Sequence, residues 1–167
     1  MGKTVIGKRL ATVLQKRFID LDNVLEKYYA RQHAKFLNCR QIMQSQGESY
    51  YRRQERLVLQ QILQLPSAVI ALGGGTVLVE NNQQAIKAHF LLHIIASPRL
   101  VFERIMASGH PAFFDPSKAP YESFIHLWEE RSVIYKRLTP YKIDNSTSID
   151  NAIHQARVYF EKNEKVA

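Results

Sequence analysis

Cys39 is the only cysteine in 167 residues, which excludes an internal disulfide and any Cys₄ or Cys₂His₂ zinc site. With one cysteine and six histidines that form no Cys/His cluster along the chain, no dedicated His/Cys metal site is expected. There is no Gly-x-Ser-x-Gly nucleophile elbow. No run approaches the roughly 18–20 apolar residues of a membrane span. The opening Met-Gly-Lys-Thr-Val-Ile-Gly contains no signal-peptide apolar region, and Gly2 lacks the Ser or Thr that myristoylation requires. A soluble, cytoplasmic protein with no membrane partner is therefore expected. Internal repeats and low-complexity tracts are also missing.

What is present is an ordinary globular mixture, 46% hydrophobic and 23% charged, of a length suited to one domain over residues 1–167. Lys plus Arg (23) less Asp plus Glu (15) leaves +8, which favours an anionic partner without choosing among phosphates, carboxylates and nucleic acid. The basic residues are scattered over several predicted helices and form no stripe, which argues against nucleic acid. Cys39, in a polar helical stretch without an evident activating partner, reads as structural.

Val5, Ile6, Leu10, Val13 and Leu14 recur at helical spacing, so the chain opens directly into a helix. Phe18-Ile19-Asp20-Leu21-Asp22 reads as a short strand with an acidic end, and residues 24–46 as one mixed helical pattern. A long amphipathic helix begins at Ser49 and stops near Pro66. Ala68-Val69-Ile70-Ala71-Leu72 is fully apolar, as in a strand covered on both faces of a parallel sheet. Residues 90–96 are the next predicted strand, followed by a helix that Pro98 starts. Residues 108–120 hold three prolines and Gly109 and read as a mobile loop. A helix over 121–138, a strand over 141–144 and a closing helix over 149–161 complete the pattern. Strands alternating with helices predict βαβ units: a parallel sheet with helices on both faces. Ligands then sit beyond the carboxyl ends of the strands, where Asp20, Asp22 and the run Gly73-Gly74-Gly75 fall.

Gly2-Lys3-Thr4 at a helix start has the form of the back half of a phosphate-binding loop. Glycine admits the phosphate to the backbone, lysine reaches β/γ oxygens, the threonine hydroxyl ligates Mg²⁺, and the helix N-terminus offers unpaired N–H groups. As a bare triplet it is equally an irregular start to a helix. Asp20 and Asp22, alternating on a strand, would point to opposite sides, one toward a metal ion and the other toward a substrate hydroxyl. The plainer account is that one of them caps the next helix. Three glycines after a buried strand contribute no packing and suit the close approach of a ligand. Arg52, early in its helix, opposes the helix dipole, which points to a role elsewhere or to pairing with Glu48 or Glu55. Arg131 poses the same choice. A guanidinium fork matches a carboxylate in bidentate fashion.

Taken in order, these segments resemble the shikimate kinase family along essentially the whole chain. Gly2-Lys3-Thr4-Val5-Ile6-Gly7-Lys8 is similar to the end of that family's P-loop, and Phe18-x-Asp20-x-Asp22 with Glu26 to its Asp-x-Asp segment. Gly47-Glu48-x-x-Tyr51-Arg52-x-x-Glu55 resembles Gly-Glu-x-x-Phe-Arg-x-x-Glu. Gly73-Gly74-Gly75-x-Val77, Ser97-Pro98 and Glu130-Arg131-x-x-x-Tyr135 match the glycine triplet, a strand-to-helix junction and a late arginine motif. The resemblance implies a three-layer P-loop NTPase-like fold and transfer of the ATP γ-phosphoryl group to the 3-hydroxyl of shikimate, on the route to chorismate and aromatic amino acids. It implies Mg²⁺ held by Thr4 and, through water, by Asp20. Lys3 would bind the β/γ-phosphates, with Gly2 in the same ATP site and Arg104 near the adenine. Asp22 would bind the attacking hydroxyl and take its proton, Arg52 and Arg131 would hold the shikimate carboxylate, and Gly73, Gly74 and Gly75 would contact the ring. Residues 23–66 would form the substrate side and residues 108–120 the lid of a monomer.

Four departures stand out. The chain begins inside the P-loop, without the strand that would feed it, as from a start codon placed too far downstream or from a true loss. The lid's Arg-Pro pair reads His110-Pro111, so either His110 takes the catalytic lid position or Lys118 supplies the cation. The stretch from Glu26 to Gly47 is longer than the family pattern. Asp144-Asn145-Ser146-Thr147-Ser148 lacks an arginine often found near the adenine. A related P-loop kinase of another small acid such as gluconate, or an impaired pseudokinase, remains the alternative reading.

Overall fold

The computed structural model describes residues 2–107, 109, 111 and 114–164. The chain divides into two compact units, one of Gly7–His89 and one of Met1–Ile6 with Phe90–Ala167. His110 lies outside the described residues.

Helix α1 (Lys3–Val13) leads into β1 (Arg17–Asp20), which runs parallel to β2 (Ala68–Ala71) with Phe18 opposite Val69 and Asp20 opposite Ala71. A parallel pair requires a crossover, and three helices supply it: α2 (Leu21–His33), α3 (Cys39–Gln46) and α4 (Glu48–Leu63). The strand predicted to reach Asp22 stops at Asp20. Asp20 is the N-cap of α2, extended at φ −105° and ψ 117°, and its side chain accepts the Asp22 N–H at 3.1 Å. Asp22 therefore stands in the first turn of a helix, where its charge suits the dipole. The two aspartates do not alternate on a strand.

The single helical pattern expected over 24–46 is broken. Ala34 takes a left-handed conformation at the end of α2, and Asn38 opens α3 with a capping box closed by Gln41. Leu21, Leu25, Ile42, Val58 and Leu59, all fully buried, join α2, α3 and α4. Each such side chain contributes about 1.5–3 kcal/mol. On the outer face His33 stacks on Tyr29 at 4.2 Å and bonds the Tyr50 hydroxyl at 2.9 Å. β2 was expected to be covered on both faces, yet Ala68, Val69 and Ile70 are half-buried and only Ala71 is buried. Each strand of a two-stranded sheet is an edge, which leaves part of it uncovered. A 3₁₀ turn (Thr76–Leu78) and α5 (Glu80–Ile86) follow the glycine triplet.

In the other unit, β3 (His93–Ile95) pairs in parallel with β4 (Lys142–Asp144), Ile94 opposite Ile143. The predicted strand at 90–96 is shorter at both ends, because Phe90 turns into a ring cluster with Tyr141 (4.9 Å) and Phe160 (6.0 Å). Ser97 caps α6 (Pro98–Met106) with Pro98 in its first turn, as the sequence predicts. Val101 packs with Phe114 and with Phe124 of α7 (Pro120–Leu138). Ala152 and Ala156 of α8 (Ile149–Glu164) are fully buried, and α8 packs on β4. Both strand pairs are parallel, as the alternation predicts. Among the described residues no helix is long and apolar enough to cross a membrane.

Candidate functional site

The glycine triplet leaves β2 at its carboxyl end and is approached from two helices. A β-carbon at residue 73 would stand 3.0 Å from Asp22 Oδ1 and 3.0 Å from Thr76 Oγ1, and one at residue 75 would stand 2.6 Å from Arg52 Nη2. The missing side chains at 73 and 75 thus make room for a carboxylate at one end of the triplet and a guanidinium at the other. Gly74, between them, is exposed.

Arg52 is held by Glu55, whose Oε2 accepts from Nη1 at 2.9 Å, and by Glu48 at 3.4 Å. Glu55 is 1% exposed, and its other oxygen accepts from the Thr76 hydroxyl at 2.8 Å. Burial alone would favour the neutral form of Arg52, but Glu55 outweighs it and holds the cation more firmly than usual. Thr76, fully buried, is held in turn through its carbonyl, which accepts from Asn82 Nδ2 at 2.9 Å. A guanidinium so braced keeps its fork in one orientation, ready for a planar anion.

Glu55 and Thr76 were not singled out as site residues from the sequence. A signal for Glu55 was there: Tyr51, Glu55, Val58, Leu59 and Ile62 share the buried face of α4. A carboxylate on an apolar stripe requires a partner, and Arg52 is one turn away. Thr76 carries no such signal.

The second group of predicted residues lies in the other unit. Gly2 immediately precedes α1 with φ +101°, and a β-carbon there would stand 2.6 Å from Asn145 Nδ2. Arg104, in the last turn of α6, donates to the Asn145 carbonyl at 3.2 Å. The structure thus brings Gly2 and Arg104 together around Asn145, a residue that sequence reading noted only for not being an arginine. Lys3 and Thr4 occupy the first turn of α1, both half-buried. The Thr4 hydroxyl is a hard oxygen donor of the kind that Mg²⁺ takes, and in the first unit described the Asp20 carboxylate is another. Arg131, on α7, hydrogen-bonds Tyr135 one turn on. Burial raises the Tyr135 pKa while Arg131 opposes that rise. The Tyr135 ring lies 5.1 Å from that of His93, whose own pKa is lowered by burial and by Lys142.

A parallel α/β chain with a Gly-Lys-Thr helix start, and with an aspartate and a braced arginine at the carboxyl end of a strand, has the features expected of a kinase of a small molecule. A family model described as shikimate kinase matches residues 1–160, and the chain belongs to the shikimate kinase family, hence by class to the ATP-dependent phosphotransferases with an alcohol acceptor. The bifunctional shikimate kinase/3-dehydroquinate synthase of Thermotoga maritima is 30% identical over 145 residues, 87% of this chain but only 27% of that protein. The shikimate kinase of Caldanaerobacter subterraneus is 33% identical over 149 residues, 87% of this chain and 81% of that protein. Among solved structures, shikimate kinase from Acinetobacter baumannii in complex with shikimate has the same fold. Its TM-score is 0.84 at 21% identity, covering 99% of this chain and 89% of that one.

Proposed function

We propose that the chain moves the γ-phosphoryl group of ATP to the 3-hydroxyl of shikimate, in the cytoplasm and as a monomer. The observation that carries this reading is the arrangement at the triplet, with the Asp22 carboxylate against Gly73 and the Arg52 fork against Gly75. A hydroxy acid has a matching pair of groups, an alcohol for the aspartate and a carboxylate for the arginine. The relative from Acinetobacter baumannii is described in complex with shikimate.

In the reaction, the bond between the γ-phosphorus and the β–γ bridging oxygen breaks and one from the substrate oxygen to that phosphorus forms. The hydroxyl proton passes to Asp22, and ADP leaves. Phosphoryl transfer chiefly needs in-line positioning and neutralised charge. Lys3 would bind the β/γ-phosphates, Gly2 would admit them to the backbone, and Arg104 would lie toward the adenine. Thr4 and Asp20 would hold Mg²⁺, which when bound offsets phosphate charge. Arg131 is assigned to the shikimate carboxylate by the motif that it resembles. Residues 1–167 would act as one domain, with 23–66 as its substrate side, 108–120 as its lid, and no nucleic acid or membrane partner.

Release of ADP with shikimate, set against release with gluconate, tests the reading. Shikimate-dependent release is expected, with Arg52→Ala and Arg131→Ala each raising KM for shikimate about 10-fold or more and leaving KM for ATP little changed. Release with gluconate alone would move the assignment to that substrate. ATP binding without turnover of either, unchanged by Asp22→Asn, would make the protein a pseudokinase.

A further inference from the structure

One residue outside the resemblance motifs bonds two positions of the same helical turn. Cys39, the first residue of α3, donates its backbone N–H to Glu26 Oε1 at 3.0 Å and its thiol to the Asp22 carbonyl at 3.6 Å. Asp22 and Glu26 are i and i+4 on α2, so the carbonyl that the thiol reaches is also the helix's own acceptor for the Glu26 N–H. From α4, the Tyr51 hydroxyl stands beside the Cys39 thiol, near enough for each group to shift the other's hold on its proton. Tyr51 is 5% exposed and stands where the family pattern has phenylalanine, which would fill the same space without a hydroxyl. Asp20 meanwhile binds the Asp22 N–H at 3.1 Å. The backbone of Asp22 is therefore fastened at both its N–H and its C=O.

We infer that Glu26, Cys39 and Tyr51 form a three-helix clip that positions Asp22, holding the first turn of α2 so that its carboxylate stays beside Gly73. The inference rests on the proposed role of Asp22 as the group that takes the substrate proton. Displacement of a reacting group by about 1 Å can cost as much as 100-fold in rate, so a modest tether on this turn registers in kcat. A thiol is a weak donor, and its role here needs the proton to stay on sulfur. Burial keeps it there: the Cys39 pKa is pushed up to about 12, with Asp22 adding to the effect. Substrate affinity is set elsewhere, by the arginines, so the clip acts on kcat and spares KM.

The test compares Cys39→Ala, Cys39→Ser and Tyr51→Phe in the full chain, with shikimate kinetics and amide hydrogen exchange at Glu26. Cys39→Ala is expected to lower kcat about 5-fold with KM for shikimate within about 2-fold, the scale of one lost hydrogen bond. Cys39→Ser, which keeps a donor, should recover most of that loss. Tyr51→Phe should act in the same direction, less strongly, and add nothing to Cys39→Ala in the double variant. The Glu26 amide should exchange faster in Cys39→Ala than in the wild type. Equal impairment by alanine and serine, or a rise in KM with kcat unchanged, overturns the clip. A wild type that exchanges as expected but never phosphorylates shikimate refutes the proposed function and leaves the tether intact. An active wild type with kcat indifferent to Cys39→Ala refutes the clip alone.

Discussion

The Arg52 guanidinium lies against the Cα of Gly75, with Nη2 2.6 Å and Nη1 2.9 Å from where a β-carbon would be. Gly75 itself has φ −88° and ψ −16°, a conformation open to any residue. An alanine there strains no backbone, and the whole conflict falls on the end of a flexible side chain. Gly75→Ala is thus expected to lower the melting temperature, though by less than removal of Glu55 would, because moving Arg52 loosens its pair with the buried Glu55 carboxylate. Its KM for shikimate should rise about 10-fold as Arg52 is pushed from its seat. An unaltered KM would mean that Arg52 does not meet the substrate in this position.

Glu55 connects this arginine to the interior, because its two oxygens serve Arg52 and Thr76 separately. Removing a buried carboxylate strands both partners. Glu55→Ala is expected to cost about 3–5 kcal/mol in denaturant unfolding, the scale for breaking a buried pair. Glu55→Gln keeps the shape and one acceptor, and should cost about 1–2 kcal/mol. Equal losses in the two variants would show that the charge on Glu55 does not matter to Arg52.

These two residues also show how far the sequence could be read. The apolar run before Gly73 and the triplet itself located the loop, because a continuous β-type run broken by glycines has few other uses. Glu55 was legible only as a charge on a hydrophobic face. Asp22 was misplaced: alternation on a strand and the first turn of a helix look alike over three residues, and the capping bond from Asp20 decides between them. The capping box at Asn38 and Gln41 was readable and would have divided the helical pattern at 24–46. The contact of Gly2 with Asn145 joins the two ends of the chain, and no local pattern encodes it.

Alkaline unfolding should report the Cys39 thiol. Its pKa rises from an ordinary value of 9.0 to about 12 on folding, chiefly through burial. A group raised in this way favours the folded state fully below the unfolded value, and that contribution is lost as pH climbs toward the folded one. Tyr51 is raised as well, also chiefly by burial, and adds in the same direction. Urea midpoints are therefore expected to fall between about pH 9 and 12, less steeply in Cys39→Ala. Iodoacetamide should label the native thiol slowly at pH 8 and quickly once the chain is unfolded. Rapid native labelling would contradict the half-buried, protonated thiol.

The segment proposed as a lid offers a gain-of-function test. A neutral or half-charged imidazole is a weaker partner for a transferring phosphate than a guanidinium. If residue 110 faces that phosphate and no other cation serves, His110→Arg raises kcat, by about 10-fold or more on the scale of arginine fingers. If Lys118 already supplies the charge, His110→Arg changes little and Lys118→Ala lowers kcat instead. Steady-state kinetics of the two variants separates these outcomes, and indifference to both removes the lid from the chemistry.

Gly2 faces two demands at once, a left-handed backbone and the nearness of Asn145. Its φ of +101° is costly for any other residue, and a β-carbon would in addition meet Asn145 Nδ2 at 2.6 Å. Gly2→Ala is expected to raise KM for ATP about 10-fold, because strain of about 1–3 kcal/mol at this φ disturbs the start of the helix that we propose offers N–H groups to phosphate. Asn145→Ala in the same chain removes the collision and leaves the backbone strain, so the double variant should recover part of the loss and not all of it. Full recovery would assign the effect to the collision alone. An ATP KM untouched by Gly2→Ala would separate this helix start from the nucleotide, and with it the assignment of Lys3 and Thr4.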